Sequence, residues 1–401
     1  MSPKKPRSSQ KSSGSDFLLE IGCEELPADY LPSLLQETPW VGRGLANATL
    51  LVLGKIPWST LTVYGSARRL AVWVRGIPSV IKKEIEGPPV LIAFDAQGKL
   101  TPAAHGFARK QGVGVAQLKR KQTVRGERLV LEKRQSADQV LSDLVPQLLA
   151  QIVFPKTMRW EASGVRFARP VRWLLALYGT RVLNCSFGSL KSSATSFVPR
   201  RFGGRAVKVA RPAQYVATLK RNQVQLETGV TFKRTDKEIQ VVPSGWPKRQ
   251  ALLAKLKAAA QTAAGRLPDS RTEEFNGLLS TLTFLSEDPN LLVGSFQKTY
   301  LSLPPEVLIT SMAKHLKLMS VVGSGGKKLL PKFLAVLEGK PKNPKGVMSN
   351  YEKILEARFF DAQFFYQEDT RTSLQEKVPV LDQLVFHKKL GSVGDRLPRL
   401  T

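Results

Sequence analysis

The chain has 401 residues, with 61 Lys and Arg against 32 Asp and Glu, and a formal net charge of +29. Such an excess of positive charge must be screened or used on a polyanion, which points first to nucleic acid. Because 42% of the residues are hydrophobic, the chain can bury sizeable cores. Bulk disorder is therefore excluded, and the length predicts two or three domains.

The sequence also predicts no membrane span, no disulfide framework and no four-ligand zinc site. The longest nearly apolar runs, such as residues 144–154, are far shorter than the roughly 18 residues that a bilayer crossing needs. Cys23 and Cys185 are the two cysteines, and with three histidines they do not make a disulfide framework or a four-ligand zinc site. We expect no membrane partner and a reduced, cytoplasmic location.

Positive charge is concentrated in one part of the sequence. Residues 99–226 contain 24 Lys and Arg against five acids, and from 144 to 226 Glu161 is the single acid against fourteen bases. Basic side chains bind phosphates and aromatic rings stack on unpaired bases. The alternative is a solvated basic face over an aromatic core, which is favoured for the rings but is weaker for the cations. The interleaved aromatic residues are Trp160, Phe167, Trp173, Phe197 and Phe202.

The first half of the chain predicts a mixture of strands and helices from its hydrophobic periodicity. Ser136 to Gln139 has the pattern of a capping box, ahead of a helix that Pro146 should bend. The predicted strands are 16–21, 60–64, 69–75, 128–134, 171–178 and 181–187, and the other predicted helices are 29–36, 43–53 and 101–111.

The second half is predicted to be mostly helical. Residues 188–212 are rich in Ser, Gly, Arg and Pro, which predicts a long basic loop or an irregular strand pair. Helical patterns dominate 212–286, with one helix opening at Pro247 and another preceded by a capping box from Ser270 to Glu273. The remaining predictions are a helix start at Pro304 and Pro305, a strand over 328–337, and a helical segment within 346–391 whose aromatic cluster we expect in the core: Phe359, Phe360, Phe364, Phe365 and Tyr366.

Taken together, these elements predict a multidomain α+β fold with mixed sheets and helices, followed by a helical C-terminal segment. We divide it into a disordered basic tail (1–15), an N-terminal α+β RNA-binding region (16–226), a helical and α+β middle region (227–340) and a helical segment (341–401). The tail lacks the apolar stretch of a secretory signal, and an organelle address is its alternative interpretation.

No self-contained catalytic or metal site is evident in the sequence. Gly323 to Lys328 is rich in glycine, but it lacks the spacing of a phosphate loop and fits a hairpin turn better. The three histidines lie far apart, without a second ligand at metal-binding spacing. Glu24 and Glu25 are adjacent and would point to opposite faces of an extended segment, so capping or ion pairing is the favoured interpretation.

Several motifs resemble the bacterial glycyl-tRNA synthetase beta subunit family, and they occur in the same order as in that family. The first is Phe17 to Pro27 (FLLEIGCEELP), and later matches extend through most of residues 16–395. The further motifs are YGSARRLA from Tyr64, FDAQGK from Phe94, AAHGFAR from Ala103, FPKTMRW from Phe154, RFARPVRW from Arg166, LPPEVLIT from Leu303, LLPKF from Leu329 and FHKKLG from Phe386.

The resemblance implies the N-terminal portion of a subunit of a glycine–tRNA ligase built from two alpha and two beta subunits. It further implies that tRNA(Gly) binds the beta subunit, whereas ATP and Mg²⁺ act as substrates on the alpha subunit. This chain would then bind no cofactor and contribute no catalytic residue.

Two departures from the family pattern leave alternatives open. The family's chain continues through an HD-type domain and an anticodon-binding domain, and its usual Arg-Gly-His-Arg-Phe motif is Val198 to Phe202 here, without the histidine. One alternative is a truncated or drifted stand-alone RNA-binding protein without ligase activity. Another is an HD phosphohydrolase, which would need a His-Asp metal pair.

The candidate RNA-binding residues are arginines of the basic segment and of the YGSARRLA motif. We expect one of Arg68 and Arg69 to be structural and the other to face RNA, the alternative being an internal ion pair with Glu24 or Glu25. The other candidates for the RNA-facing surface are Arg159, Arg166, Arg169, Arg172, Arg200 and Arg201.

Overall fold

The computed structural model describes residues 14–36, 44–95, 97–199, 201, 203–235, 238–326 and 328–400. These residues form two compact units, which divide between Lys248 and Arg249. Helices accompany antiparallel and mixed sheets, so the predicted α+β class is confirmed.

The first unit is built mainly from strands. Its described strands are β1 (Ser15–Cys23), β2 (Thr60–Ser66), β3 (Arg69–Ile77), β4 (Val80–Pro89), β5 (Leu118–Thr123), β6 (Gly126–Ser136), β7 (Val171–Tyr178), β8 (Arg181–Val182), β9 (Ser186–Phe187), β10 (Leu190–Ser193), β11 (Thr195–Phe197), β12 (Ala206–Lys208), β13 (Glu227–Arg234) and β14 (Ile239–Val242). Its described helices are α1 (Tyr30–Leu35), α2 (Leu45–Leu53), α3 (Val90–Ala93), α4 (Pro102–Gln111), α5 (Ala137–Gln151) and α6 (Tyr215–Arg221).

One mixed sheet forms the centre of this unit. Over the described residues its order is β14-β13-β2-β3-β1-β7-β10-β9, with β8 paired to β7, and β10 runs parallel to β7. Strand β1 is central, and it is buried on both faces from Phe17 to Cys23. Such a strand has a continuous apolar sequence instead of an alternating one, and here Glu20 alone interrupts it.

Smaller elements complete the first unit. A second sheet has the order β4-β6-β5, and helix α5 starts where β6 ends. The predicted cap is confirmed, because the Ser136 hydroxyl accepts a hydrogen bond from the Gln139 N–H at 3.3 Å. For residues 188–212 the structure has the irregular strand pair, since β11 and β12 pair antiparallel.

The hairpin of β13 and β14 departs from the sequence prediction. The helical prediction for 212–286 is wrong here, because β13 pairs with β2 from Glu227 opposite Gly65 to Lys233 opposite Thr60. A partner strand more than 160 residues away in the chain thus sets its conformation. The structural division consequently follows residue 248, whereas the sequence places a boundary after residue 226.

The second unit packs helices around a small antiparallel sheet with the order β15-β17-β16. The described elements are α7 (Pro247–Thr262), α8 (Glu273–Leu285), β15 (Pro289–Ser295), α9 (Pro305–Thr310), β16 (Met319–Val322), β17 (Leu329–Glu338), α10 (Pro344–Arg371), α11 (Leu374–Lys377), β18 (Val385–His387), β19 (Gly391–Ser392) and α12 (Leu397–Leu400).

Local signals in the second unit are mostly confirmed. Pro305 opens α9, and the glycine-rich turn joins the antiparallel strands β16 and β17 as a hairpin. The cap of α8 is displaced from its predicted position, because Thr272, not Ser270, accepts the hydrogen bond from Phe275 N–H, at 3.3 Å. Both residues are good caps by type, so the choice between them depends on where the chain enters the helix.

The aromatic cluster of α10 is not a core cluster. Phe359 is fully buried, as predicted, but the prediction is wrong for the other four members, which are exposed. A helix presents residues to all sides, so five aromatic residues within eight positions cannot share one buried face. The exposed members are Phe360, Phe364, Phe365 and Tyr366.

Candidate nucleic-acid interface

The basic segment of residues 144–226 presents its cations to solvent. It contains fourteen Lys and Arg. Arg200 lies outside the described residues, and the other thirteen are all exposed. Two of them, Arg172 and Arg181, form ion pairs with acids from elsewhere in the first unit, Glu24 and Asp138. The segment is therefore an exposed cationic surface, which we call the basic surface.

The single acid of this segment, Glu161, is occupied by hydroxyl groups. Its carboxylate accepts hydrogen bonds from the Ser163 hydroxyl at 2.6 Å, from Ser189 N–H at 3.1 Å and from the Ser189 hydroxyl. These hydrogen bonds hold the pKa of the Glu161 carboxyl below its usual range, and the bond from the Ser163 hydroxyl has the largest effect. Gly188 makes room for this contact, since a Cβ there would lie 1.6 Å from Glu161 Oε1. Glu161 thus joins two loops, and its hydrogen-bond partners there are serines instead of Lys or Arg.

Arg68 and Arg172 share one carboxylate at the edge of the basic surface. Glu24 lies 3.5 Å from Arg68 Nη2 and 2.6 Å from Arg172 Nε. Glu25 lies 3.5 Å from Arg68 Nε, and its carbonyl oxygen accepts a hydrogen bond from Arg169 Nε at 3.2 Å. The predicted pairing of Glu24 and Glu25 with arginine is confirmed. It is possible because the end of β1 lies beside the turn that joins β2 and β3.

Arg69 is fully buried and belongs to the interior of the unit. Its Nη1 donates to the Ser196 hydroxyl at 2.8 Å and lies 3.3 Å from Glu20 Oε1, while Nη2 donates to the Phe197 carbonyl at 2.8 Å. The Ser196 hydroxyl and the Trp173 indole N–H both donate to the same Glu20 oxygen. A buried charge pair needs such additional hydrogen bonds to compensate for lost hydration.

The expectation that one arginine of this pair faces outward is corrected by these contacts. Arg69 is 0% exposed and Arg68 is 8% exposed. Both guanidinium groups lie near the Trp173 ring, at 5.3 and 5.8 Å from its centroid, and Gly22 leaves space for that ring. The ion-pair alternative therefore describes both residues. Arg69 is the structural member, and RNA contact by Arg68, which lines a pocket, stays a prediction.

A pocket of about 240 Å³ opens beside Arg68 and Trp173. Arginine at its rim and aromatic rings in its wall suit a phosphate or an unpaired base. The loop that forms one wall continues into the exposed residue Arg201. The lining residues are Arg68, Arg172, Trp173, Phe197, Val198 and Gly204.

Arg159 and Arg166 lie at a second place on the basic surface. They flank the isolated bridge between Met158 and Phe167. Arg166 donates from Nε to the Thr157 hydroxyl at 2.9 Å, and from Nη2 to the Thr157 carbonyl at 3.1 Å. Among the described residues Arg159 has no hydrogen-bond or ion-pair partner, and its side chain is exposed.

Two of the four described aromatic residues of this segment are core residues, as their favoured interpretation predicted, and Trp160 and Phe197 are half-buried. Phe167 and Trp173 are buried, and Phe167 packs edge-on against Phe154 and Phe187 with centroids 4.6 and 6.2 Å apart. Phe202 lies outside the described residues.

Sequence reasoning missed Glu20 and Ser196 as partners of Arg69. An acid within an otherwise apolar strand was the available signal, because such a residue needs a buried partner.

Exposed cations in a segment with a single acid, beside a pocket lined by arginine, are features typical of nucleic-acid-binding proteins. Family comparison makes the class specific, because the family model "Glycyl-tRNA synthetase beta subunit" matches residues 17–401. The chain belongs to that family of aminoacyl-tRNA synthetase subunits.

Named relatives agree with this assignment. The chain is 37% identical to the glycine–tRNA ligase beta subunit of Anaeromyxobacter dehalogenans (strain 2CP-C) over 394 residues, which is 96% of this chain and 52% of the relative. It is 35% identical to that of Myxococcus xanthus and 34% identical to that of Syntrophus aciditrophicus, with 96% of this chain and 52% and 53% of the relatives covered.

The chain spans about half the length of these relatives and corresponds to their N-terminal portion. Among the helices of the described residues, none has both the length and the apolar character needed to traverse a bilayer.

Proposed function

We propose that this chain is the tRNA-binding part of a glycine–tRNA ligase beta subunit. In this proposal tRNA(Gly) lies on the basic surface, and glycine joins it in an ATP- and Mg²⁺-dependent reaction at an active site on the alpha subunit. The assembly would be a cytoplasmic heterotetramer of two alpha and two beta subunits. The observation that carries the proposal is the set of thirteen exposed cations in residues 144–226. Glu161 is the single acid of that segment, and it is hydrogen-bonded to serines.

The arginines would divide the work between support and contact. Arg69 holds Trp173 and the strand at Ser196 in place, which shapes the wall of the pocket. Arg159, Arg166 and Arg201 are exposed and can approach phosphates from solvent. Such contacts give affinity without sequence discrimination, so the choice of tRNA(Gly) would need contacts to base edges or to tRNA shape as well.

The salt dependence of tRNA binding tests the interface. Each phosphate contact contributes about 0.7 to 0.9 units to the slope of log K against log salt concentration. The double variant Arg159→Ala/Arg166→Ala should therefore weaken binding of a tRNA(Gly) transcript and flatten the slope by about 1.4 to 1.8 units. Arg200→Ala/Arg201→Ala should act in the same direction.

A matched control comes from the second unit. Lys353→Ala/Arg358→Ala removes the same charge from exposed positions of α10 and should leave the slope unchanged within error. If this control changed the slope as much as Arg159→Ala/Arg166→Ala does, binding would follow net charge and the interface assignment would be wrong.

Activity measurements separate the ligase proposal from its alternative. The chain alone should show no glycine-dependent ATP–pyrophosphate exchange, and exchange should appear when the alpha subunit is added. Robust exchange by the chain alone would overturn the assignment of the chemistry to the alpha subunit. Normal tRNA binding without aminoacylation in the presence of the alpha subunit would favour a stand-alone RNA-binding protein.

A further inference from the structure

Helix α10 carries apolar residues on two opposite faces. Leu355 and Phe359 are fully buried and pack with Met348 and Tyr351 in the core of the second unit. With 3.6 residues per turn, the opposite side carries four apolar residues spread over about 140° of the helix circumference. We call this the outer face, and its residues are Ile354, Phe360, Phe364 and Phe365.

The outer face is strongly exposed for side chains of this size. Phe360, Phe364 and Phe365 are 64%, 54% and 63% exposed, and the rings of Phe364 and Phe365 lie 5.6 Å apart as a pair. Exposure of single apolar residues is ordinary, but a group of phenylalanines on one face marks an interaction site. Apolar exposure continues beyond the helix, at Leu374 and in the hairpin of β18 and β19.

Local charge argues for a protein partner at this face. Residues 352–384 contain seven acids and four bases, so their net charge is −3 within a chain of +29. Phosphate groups would be repelled here and attracted elsewhere on the molecule. A partner that buries phenylalanine without needing positive charge is a polypeptide with an apolar contact surface.

The relatives supply the argument for which polypeptide this is. They are about twice as long as this chain, and the matched region is their N-terminal portion. The rest of their sequence therefore follows directly from the segment that contains the outer face. A tethered neighbour has a high effective concentration, so even a modest apolar contact would be occupied.

We propose that the outer face of α10 is the docking surface for the polypeptide that forms the second half of this family's chain. The inference depends on family membership and on the exposure of α10, and it is independent of tRNA binding by the first unit. A second copy of this chain and the alpha subunit are the competing occupants.

Hydroxyl-radical labelling with peptide mass analysis tests the proposal. One sample is this chain alone, and the other is this chain continued by the second half of the Anaeromyxobacter dehalogenans relative. Labelling of Phe360, Phe364 and Phe365 should fall at least fivefold in the longer protein, while the exposed residue Leu91 of the first unit should label equally in both. Equal labelling of the three phenylalanines in the two proteins would overturn the proposal.

Two further results would also overturn it. The first is low labelling of the chain alone together with a dimer mass by light scattering, which would identify a second copy as the occupant. The second is protection of the phenylalanines on adding the alpha subunit to the chain alone.

Variants keep the proposal testable if the longer protein folds poorly. Phe360→Ser/Phe364→Ser should leave the melting temperature of the chain alone unchanged, because these side chains are solvated. In the longer protein it should restore labelling of Phe365 to the level of the chain alone. Tyr366→Ser, on the other side of the same helix, is the control and should not restore it. A loss of melting temperature as large as that of Phe359→Ser would show that the outer face is structural and would refute the proposal.

Discussion

Replacing Arg69 by Met should strongly destabilise the first unit. The substitution would leave the Glu20 carboxylate fully buried without its positive partner, and Glu20 Oε2 already lacks a hydrogen-bond partner among the described residues. It would also remove the donors to the Ser196 hydroxyl and the Phe197 carbonyl. Removing one member of a buried pair typically costs about 3 to 5 kcal/mol.

This cost is measurable by thermal and urea unfolding. For a unit of this size, about 3 to 5 kcal/mol corresponds to a fall in melting temperature of roughly 6 to 20 °C. The companion Arg172→Met also breaks an ion pair, but its side chain is 55% exposed, so the expected loss is below about 1 kcal/mol. Adding Glu20→Gln to Arg69→Met should recover much of the stability, because the uncompensated charge is then absent.

The result that would refute the reasoning is equal stability of Arg69→Met and Arg172→Met. RNA affinity supplies a second criterion. After correction for the folded fraction, Arg69→Met should bind tRNA as the wild type does, since Arg69 is 0% exposed. Weakened binding by the folded variant would mean that Arg69 acts beyond its structural role.

Three other predictions follow from local geometry. Gly22→Ala should unfold the first unit at a lower temperature and shift the fluorescence of Trp173, because a Cβ would lie 1.7 Å from the indole; an unchanged melting temperature would contradict this packing. Hydrogen bonding to Arg271 lowers the pKa of Asp269 from 3.8 to about 2. The contribution of this contact to folding stability is therefore present above pH 3.8 and is lost as the pH falls through about 2. Arg271→Ala should return the Asp269 pKa, followed by NMR titration, toward 3.8. Burial raises the pKa of the Cys185 thiol, so alkylation at this residue should be slow in the folded protein and fast in urea.

Local sequence signals were sufficient for several features of this protein. A proline at the first helical position opens α9, a glycine-rich turn joins two strands into a hairpin, and Ser136 caps α5. These signals work because the interactions they describe connect residues only a few positions apart. The motifs and their order along the chain were also enough to identify the family. The scarcity of acids in residues 144–226 was enough to predict exposed cations there.

Tertiary structure alone decided which arginines of the predicted site are accessible. Arg68 and Arg69 are adjacent in sequence, and both become buried beside acids more than 40 residues earlier in the chain: Glu24, directly after β1, pairs with Arg68, and Glu20, within β1, pairs with Arg69. The same dependence on distant partners placed β13 beside β2 instead of in a helix. On α10, the core of the second unit buried Phe359 and left Phe360 outside, although the two side chains are chemically identical. Helical spacing shows that adjacent residues lie on different faces, but which face is buried depends on packing between segments that are far apart in the chain.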